Sequence, residues 1–173
     1  MTWIEVSSDA IKIGLGALIA AISAYIVARL NQRNEYIKAY LTQKTKKLDS
    51  TIEILNEIHK RFAHYTANVS NYFGAKQQNY THTANEIKDL DEEREKFRKG
   101  FDGFIEVSGY LLSLGDLMSH EKLEEYRDAM DNAHIKIDHR DDNINLSDIR
   151  NIVVNIKNLR RALLLSVGKA YEV

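Results

Sequence analysis

Asp131, His134 and Asp138 recur at spacings of three and four, which on a helix puts two carboxylates and an imidazole on one face. Such a face could offer oxygen and nitrogen ligands to a metal ion, although solvated surface groups show the same spacing more often. His134 also belongs to a second grouping, because Arg127 is followed by Asp128 and six residues separate Arg127 from His134. Other catalytic arrangements are missing from the sequence. No glycine-rich phosphate loop precedes a lysine, no glycine-flanked serine forms a nucleophile elbow, and neither the paired-histidine zinc helix nor a calcium loop is present. His59 and His64 flank an apolar stripe and read as packing or surface residues.

The Arg127, Asp128 and His134 grouping resembles the motif of HEPN-type ribonucleases, in which an arginine and a polar residue are followed at short spacing by a histidine. In that family the arginine and histidine of two protomers meet at a dimer interface and cleave RNA without a metal. The resemblance covers about eight residues of 173, and implies a catalytic role for Arg127, Asp128 and His134 alone. It stands as the alternative to a chain that has no active site and works by binding.

These residues must be held by helices. The chain has no proline and only eight glycines, whereas sheets draw on both for their turns. It has no cysteine, which removes disulfides, thiolate metal sites and cysteine nucleophiles. A net charge of −1 speaks against a general nucleic-acid binder, and no DNA binding or cofactor is expected.

The first element is the most informative. Ile13 to Ala28 is a run of sixteen residues without a charge. With Ala10, Ile11 and Leu30 it reaches about 20 residues, enough to cross the hydrocarbon core of a bilayer as a helix. Lys12 can extend its ammonium to the interface, and Trp3 suits the aromatic belt. A cleaved signal would begin with positive charge, yet Met1 to Ala10 carries Glu5 and Asp9 and no lysine or arginine. Arg29, Arg33, Lys38, Lys44, Lys46 and Lys47 follow the run. The positive-inside rule therefore predicts an N-terminus outside and residues 31–173 in the cytoplasm of a cell with a bacterial inner membrane. Gly16, Ala20, Ala24 and Ala28 recur every four residues, a small-residue stripe along which membrane helices can self-associate.

Beyond the span, Leu41, Leu48, Leu55, Phe62 and Val69 repeat every seven residues, interleaved with Lys44, Thr51, Ile58, Tyr65 and Tyr72. This heptad pattern predicts a long helix with coiled-coil character, ending near Phe73, with room for a kink at Asn31 to Asn34. Residues 74–84 read as a loop. Thr83 and Glu86 have capping-box spacing and start a second helix with Ile87, Leu90, Phe97, Phe101, Phe104, Leu111, Leu112 and Met118 inward. Its glycines either permit close packing or break it near Gly100. Ser119 is expected to cap a third helix with Leu123, Tyr126, Met130, Ala133 and Ile137 inward. After a loop at 138–146, Ser147 is expected to cap a last helix with Ile149, Ile152, Val153, Ile156, Leu159, Leu163 and Val167 inward.

The fold class is thus all-α: a tail and single transmembrane helix over 1–30, continuing into a cytoplasmic up-and-down helical bundle over 31–173. Charge is divided along it, with a net of +4 over 31–76, −8 over 84–142 and +3 over 143–173. The basic stretch suits an anionic leaflet, while the acidic middle offers a surface to a protein partner or simply complements the basic helices beside it. In architecture only, the chain resembles small membrane-anchored bacterial proteins of phage-defence and mobile-element systems, which act as effectors, exclusion factors or adaptors. The function expected is therefore homo-oligomeric assembly and binding of an unidentified partner at a lipid bilayer. The packing residues would be the small-residue stripe together with the heptad face Leu41, Leu48, Leu55, Ile58, Phe62, Tyr65 and Val69.

Overall fold

The computed structural model describes residues 3–139, 141 and 144–172, and the side chains of all of these except 3–11 and 13. The Trp3 ring, expected at the lipid interface, lies outside the described residues, as do the side chains of Ala10, Ile11 and Ile13. Among the described residues the structure is helical, with α1 over Trp3–Gln77, α2 over Ala84–Lys99, α3 over Asp102–Ser113, α4 over Leu117–Lys136 and α5 over Leu146–Lys169. The chain divides into two units, Met1–Lys44 and Thr45–Val173.

The first unit is helical throughout its described length, with no break at Asn31 to Asn34. Every residue from Gly14 to Gln43 is exposed. The absence of proline lets the backbone ladder continue through this stretch unbroken.

The second unit holds the core. Leu48, Leu55, Ile58, Phe62, Tyr65 and Val69 of α1 are buried in it. Against them pack Leu90 and Phe97 of α2, Phe104, Val107 and Leu111 of α3, and the inward residues of α4 and α5. Phe97 is central among the aromatics: its ring centroid lies 5.5 Å from Phe62, 5.8 Å from Tyr65 and 5.1 Å from Phe101. Tyr65 could not be buried with a bare hydroxyl. It donates to the Ile137 carbonyl at 2.7 Å, just past the end of α4.

The expected second helix is two. Gly100 and Phe101 form a tight turn, and α3 begins at Asp102. A Cβ on Gly103 would lie 2.7 Å from Ile54 Cγ2, so this glycine lets α3 approach α1. Leu112 and Met118, read as inward, are exposed, and Val107 takes a core place the stripe did not include. The breaks at Gly100 and, before Met118 on α4, at Gly115 reset the helical phase, which is why a single 3.6-residue period carried across them misplaces these residues.

Two caps also differ from expectation. Gly115, with φ of 71°, turns the chain so that Asp116 precedes α4 and accepts from the Ser119 N–H at 3.0 Å. Ser119 is not the cap but a buried residue whose hydroxyl donates to Ser166 Oγ at 2.9 Å, tying α4 to α5. Asn145, not Ser147, caps α5, accepting from the Asp148 N–H at 3.0 Å. The capping box at Thr83 and Glu86 forms as predicted. Helix α1 runs one turn past Phe73 and stops where Asn79 adopts a φ of 63°.

Candidate functional site

The apolar stretch of α1 is the first feature a function must explain. An 18-residue window of this helix has a mean hydropathy of 1.5 and no buried residue, so by length and composition the helix can cross a membrane. Leu15, Leu18, Ile19, Ile22, Ile26, Val27 and Leu30 are all exposed. Burying one such side chain is worth about 1.5–3 kcal/mol, so their exposure to water is a large unrecovered free energy. Gly16, Ala20, Ala24 and Ala28 lie exposed on one face among them, and a Cβ on Gly16 would meet nothing within 4 Å. Tyr25, Arg29, Arg33 and Tyr36 lie exposed along one side of the same helix, at spacings of four, four and three.

The heptad face divides. Leu41 is exposed, while Leu48, Leu55, Ile58, Phe62, Tyr65 and Val69 fill the core of their own chain. Their seven-residue period therefore serves packing against α2–α5. A second copy could reach them only if the second unit opened.

Arg127, Asp128 and His134 all lie on α4, with Arg127 and His134 two turns apart on one face. Arg127 is engaged by Glu124 and lies 3.6 Å from Asp128. The His134 ring packs beside Phe97 and Phe101, with centroids at 5.7 and 5.9 Å, and its Nε2 is buried without a hydrogen-bond partner. Burial, then the Arg94 and Arg98 charges, lowers its pKa. Arg94 pairs with Asp138 at 2.7 Å and donates to the His134 carbonyl at 3.1 Å. Asp138 is thus taken up by a guanidinium. No group of three histidines and carboxylates among the described residues could hold a metal, so Asp131, His134 and Asp138 are not brought together as ligands.

Two arrangements escaped the sequence reading. Ser108 Oγ lies 2.9 Å from His120 Nε2, linking α3 to α4. Ser108 sits inside α3, and beside His120 the Leu117, Ser119 and His120 amides are taken by Gly115 and Asp116, which leaves no pair of free N–H groups there to hold an oxyanion. The second is a cleft of about 390 Å³ between the end of α1 and α2. His82 stacks on Tyr72 at 4.1 Å, donates from its Nε2 to the Tyr72 carbonyl at 3.0 Å, and meets the Tyr80 edge at 4.9 Å. Because Nε2 faces a carbonyl, it carries the proton and donates. Glu86, Asp89 and Glu93 border the same cleft from α2. The Thr83 backbone and side chain hold the Glu86 carboxyl below its usual pKa, and hydrogen bonds from Lys96 and His64 do the same for Glu93. Their spacing at i, i+3 and i+7 was legible in the sequence. The aromatic wall opposite was not, because it depends on the turn at Asn79.

Comparison with protein-family models, with curated proteins and with solved structures finds no match to this chain.

Proposed function

We propose that this chain is a single-pass membrane protein whose helical second unit assembles and binds a partner protein at the cytoplasmic face of a bacterial inner membrane. The observation that carries the reading is an apolar window long enough to span a bilayer and wholly outside the core. Lipid supplies the burial that the rest of the chain does not. The excess of lysine and arginine after the window, against Lys12 alone before it, supports an N-terminus outside. Self-association would run through Gly16, Ala20, Ala24 and Ala28, where two backbones can come close. Leu41 and its exposed neighbours Ile37 and Tyr40 extend an apolar surface beyond the window. On this reading the chain acts by binding, and Arg127, Asp128 and His134 are structural.

The test is membrane extraction of the full chain. We expect it to sediment with membranes through an alkaline carbonate wash and to require detergent for release. A double variant, Leu18→Arg with Ile22→Arg, places two charges near the middle of the window at a cost of about 2.5–3.5 kcal/mol each, and should leave the membrane fraction. Wild-type chain found intact in the high-speed supernatant without detergent would overturn the proposal. So would a reporter after residue 173 that is active only outside the inner membrane, for the orientation.

A further inference from the structure

Where the apolar window ends, α1 changes character on one side only. Tyr25, Arg29, Arg33, Tyr36 and Tyr40 are all exposed, and at about 100° per residue they fall within an arc of about 80°. Leu15, Leu18, Ile22 and Ile26 carry the same side back into the window. Gly16, Ala20, Ala24 and Ala28 lie on the other side, centred about 160° away. A helix that packs through the small residues therefore turns its tyrosines and arginines out toward lipid. Neither Arg29 nor Arg33 makes a hydrogen bond or ion pair among the described residues. In the second unit, by contrast, Arg61, Arg94, Arg98 and Arg127 each meet a carboxylate. Glu35 is the one acidic residue between Asp9 and Asp49, and it falls about 120° from Arg29, on the side of the small residues.

Depth decides what these guanidiniums meet. Arg29 is the first charge after the uncharged run, so in a bilayer it stands at the edge of the hydrocarbon. Arg33 lies about 6 Å further along the axis. A bilayer of about 40–45 Å with a core of about 30 Å leaves about 5–8 Å of headgroup in each leaflet. The two arginines therefore cross the phosphate layer. Tyr25 sits about 6 Å before Arg29 and Tyr36 about 4.5 Å beyond Arg33, so amphipathic rings bracket the pair on both sides, as they do at membrane interfaces. A phosphodiester presents the paired oxygens that a guanidinium fork fits. Zwitterionic headgroups add an ammonium to that phosphate, and on this side it would find two like charges and no carboxylate. A headgroup with only hydroxyls beyond its phosphate keeps its negative charge unopposed, and its hydroxyls can pair with those of the tyrosines.

We propose that the face formed by Tyr25, Arg29, Arg33 and Tyr36 binds the headgroup of an anionic phospholipid. The inference rests on the membrane reading above, and the experiment separates the two. Full-length chain is reconstituted into phosphatidylcholine vesicles and washed with alkaline carbonate, and trace spin-labelled lipids report how much of each is held motionally restricted at its surface. Phosphatidylglycerol should be held with about fivefold preference over phosphatidylcholine. Arg29→Gln with Arg33→Gln should bring that ratio to about one, with the total of restricted lipid per chain unchanged. Arg33→Gln alone should leave about a twofold preference. Lys38→Gln, an equal loss of charge on the opposite side of the helix, should hold lipid as wild type does. Arg29→Lys with Arg33→Lys should also fall to about twofold, because an ammonium keeps the charge but not the fork. An inserted chain that restricts both lipids equally would overturn the proposal, as would equal losses in Arg33→Gln and Lys38→Gln. Phosphatidylethanolamine held as tightly as phosphatidylglycerol would do the same. Loss of the preference on adding inorganic phosphate at constant ionic strength would overturn it too, by pointing to a free anion. A chain that leaves the vesicles in the carbonate wash overturns the membrane reading, and this inference with it.

Discussion

Two glycines of α3 allow the packing of the second unit to be tested with a sign as well as a size. An alanine methyl at Gly103 would lie 2.7 Å from Ile54 Cγ2 and 3.2 Å from Ile58 Cδ1, whereas one at Gly109 would meet nothing within 4 Å. Replacing glycine by alanine within a helix gains about 1 kcal/mol through backbone entropy. Gly109→Ala should realise that gain in full. At Gly103 the same gain is opposed by overpacking, which costs about 1–3 kcal/mol. Cγ2 of a β-branched residue in a helix has essentially one rotamer, so Ile54 cannot swing away and α1 or α3 must shift. We therefore expect Gly103→Ala to lose about 1 kcal/mol net. The two variants should differ by about 2 kcal/mol, or about 6 °C in Tm for a unit of this size. Circular dichroism melts of the full chain in one detergent would measure it. If Gly103→Ala raised Tm as much as Gly109→Ala, α3 would not lie against α1 as described.

Burial, then the charges of Arg160 and Lys157, lowers the pKa of His59 from 6.5 to about 4. The unfolded chain therefore takes up this proton first, so stability from neutral His59 is complete above pH 6.5 and lost as pH falls toward 4. His134 shifts in the same direction. Allowing for solvent screening of a half-buried group, we expect a loss of about 1 kcal/mol between pH 7 and pH 5, and a flatter profile for His59→Gln in denaturant titrations at each pH. Tyr65→Phe strips the Ile137 carbonyl of its donor and should cost about 1–3 kcal/mol by chemical denaturation. Gly16→Leu with Ala20→Leu should dissociate detergent-solubilised oligomers in light-scattering measurements, without altering the melt of the second unit. His134→Ala should leave membrane location intact and change no RNA-cleaving activity; loss of such activity with folding preserved would favour the ribonuclease alternative.

The helical class was readable from proline and glycine counts, and the core faces of α4 and α5 from their periodicity. Every inward residue expected on α4 is buried. What failed was local and had local causes. The period was carried through Gly100 and Gly115 as if backbone phase survived a turn, so Leu112 and Met118 were placed inside. Ser119 and Ser147 look like caps when only residue type is considered, but Asp116 and Asn145 stand three and two residues earlier and reach the free N–H groups first. Heptad spacing in α1 was seen correctly. Its partner was not, because the same stripe fits a neighbouring copy and the chain's own helices equally well. The Arg127 and His134 spacing likewise says that two side chains share a face, not that Glu124 and the Phe97 and Phe101 rings occupy them.

The exposed first unit makes no call on the core, since no buried residue of the described chain precedes Leu48. A protease acting between 31 and 44 would sever the chain without removing a single interior contact. The helical body would then be released with its core intact. On the membrane reading proposed above, attachment and folding are separable, and one peptide-bond cleavage would part the second unit from its anchor.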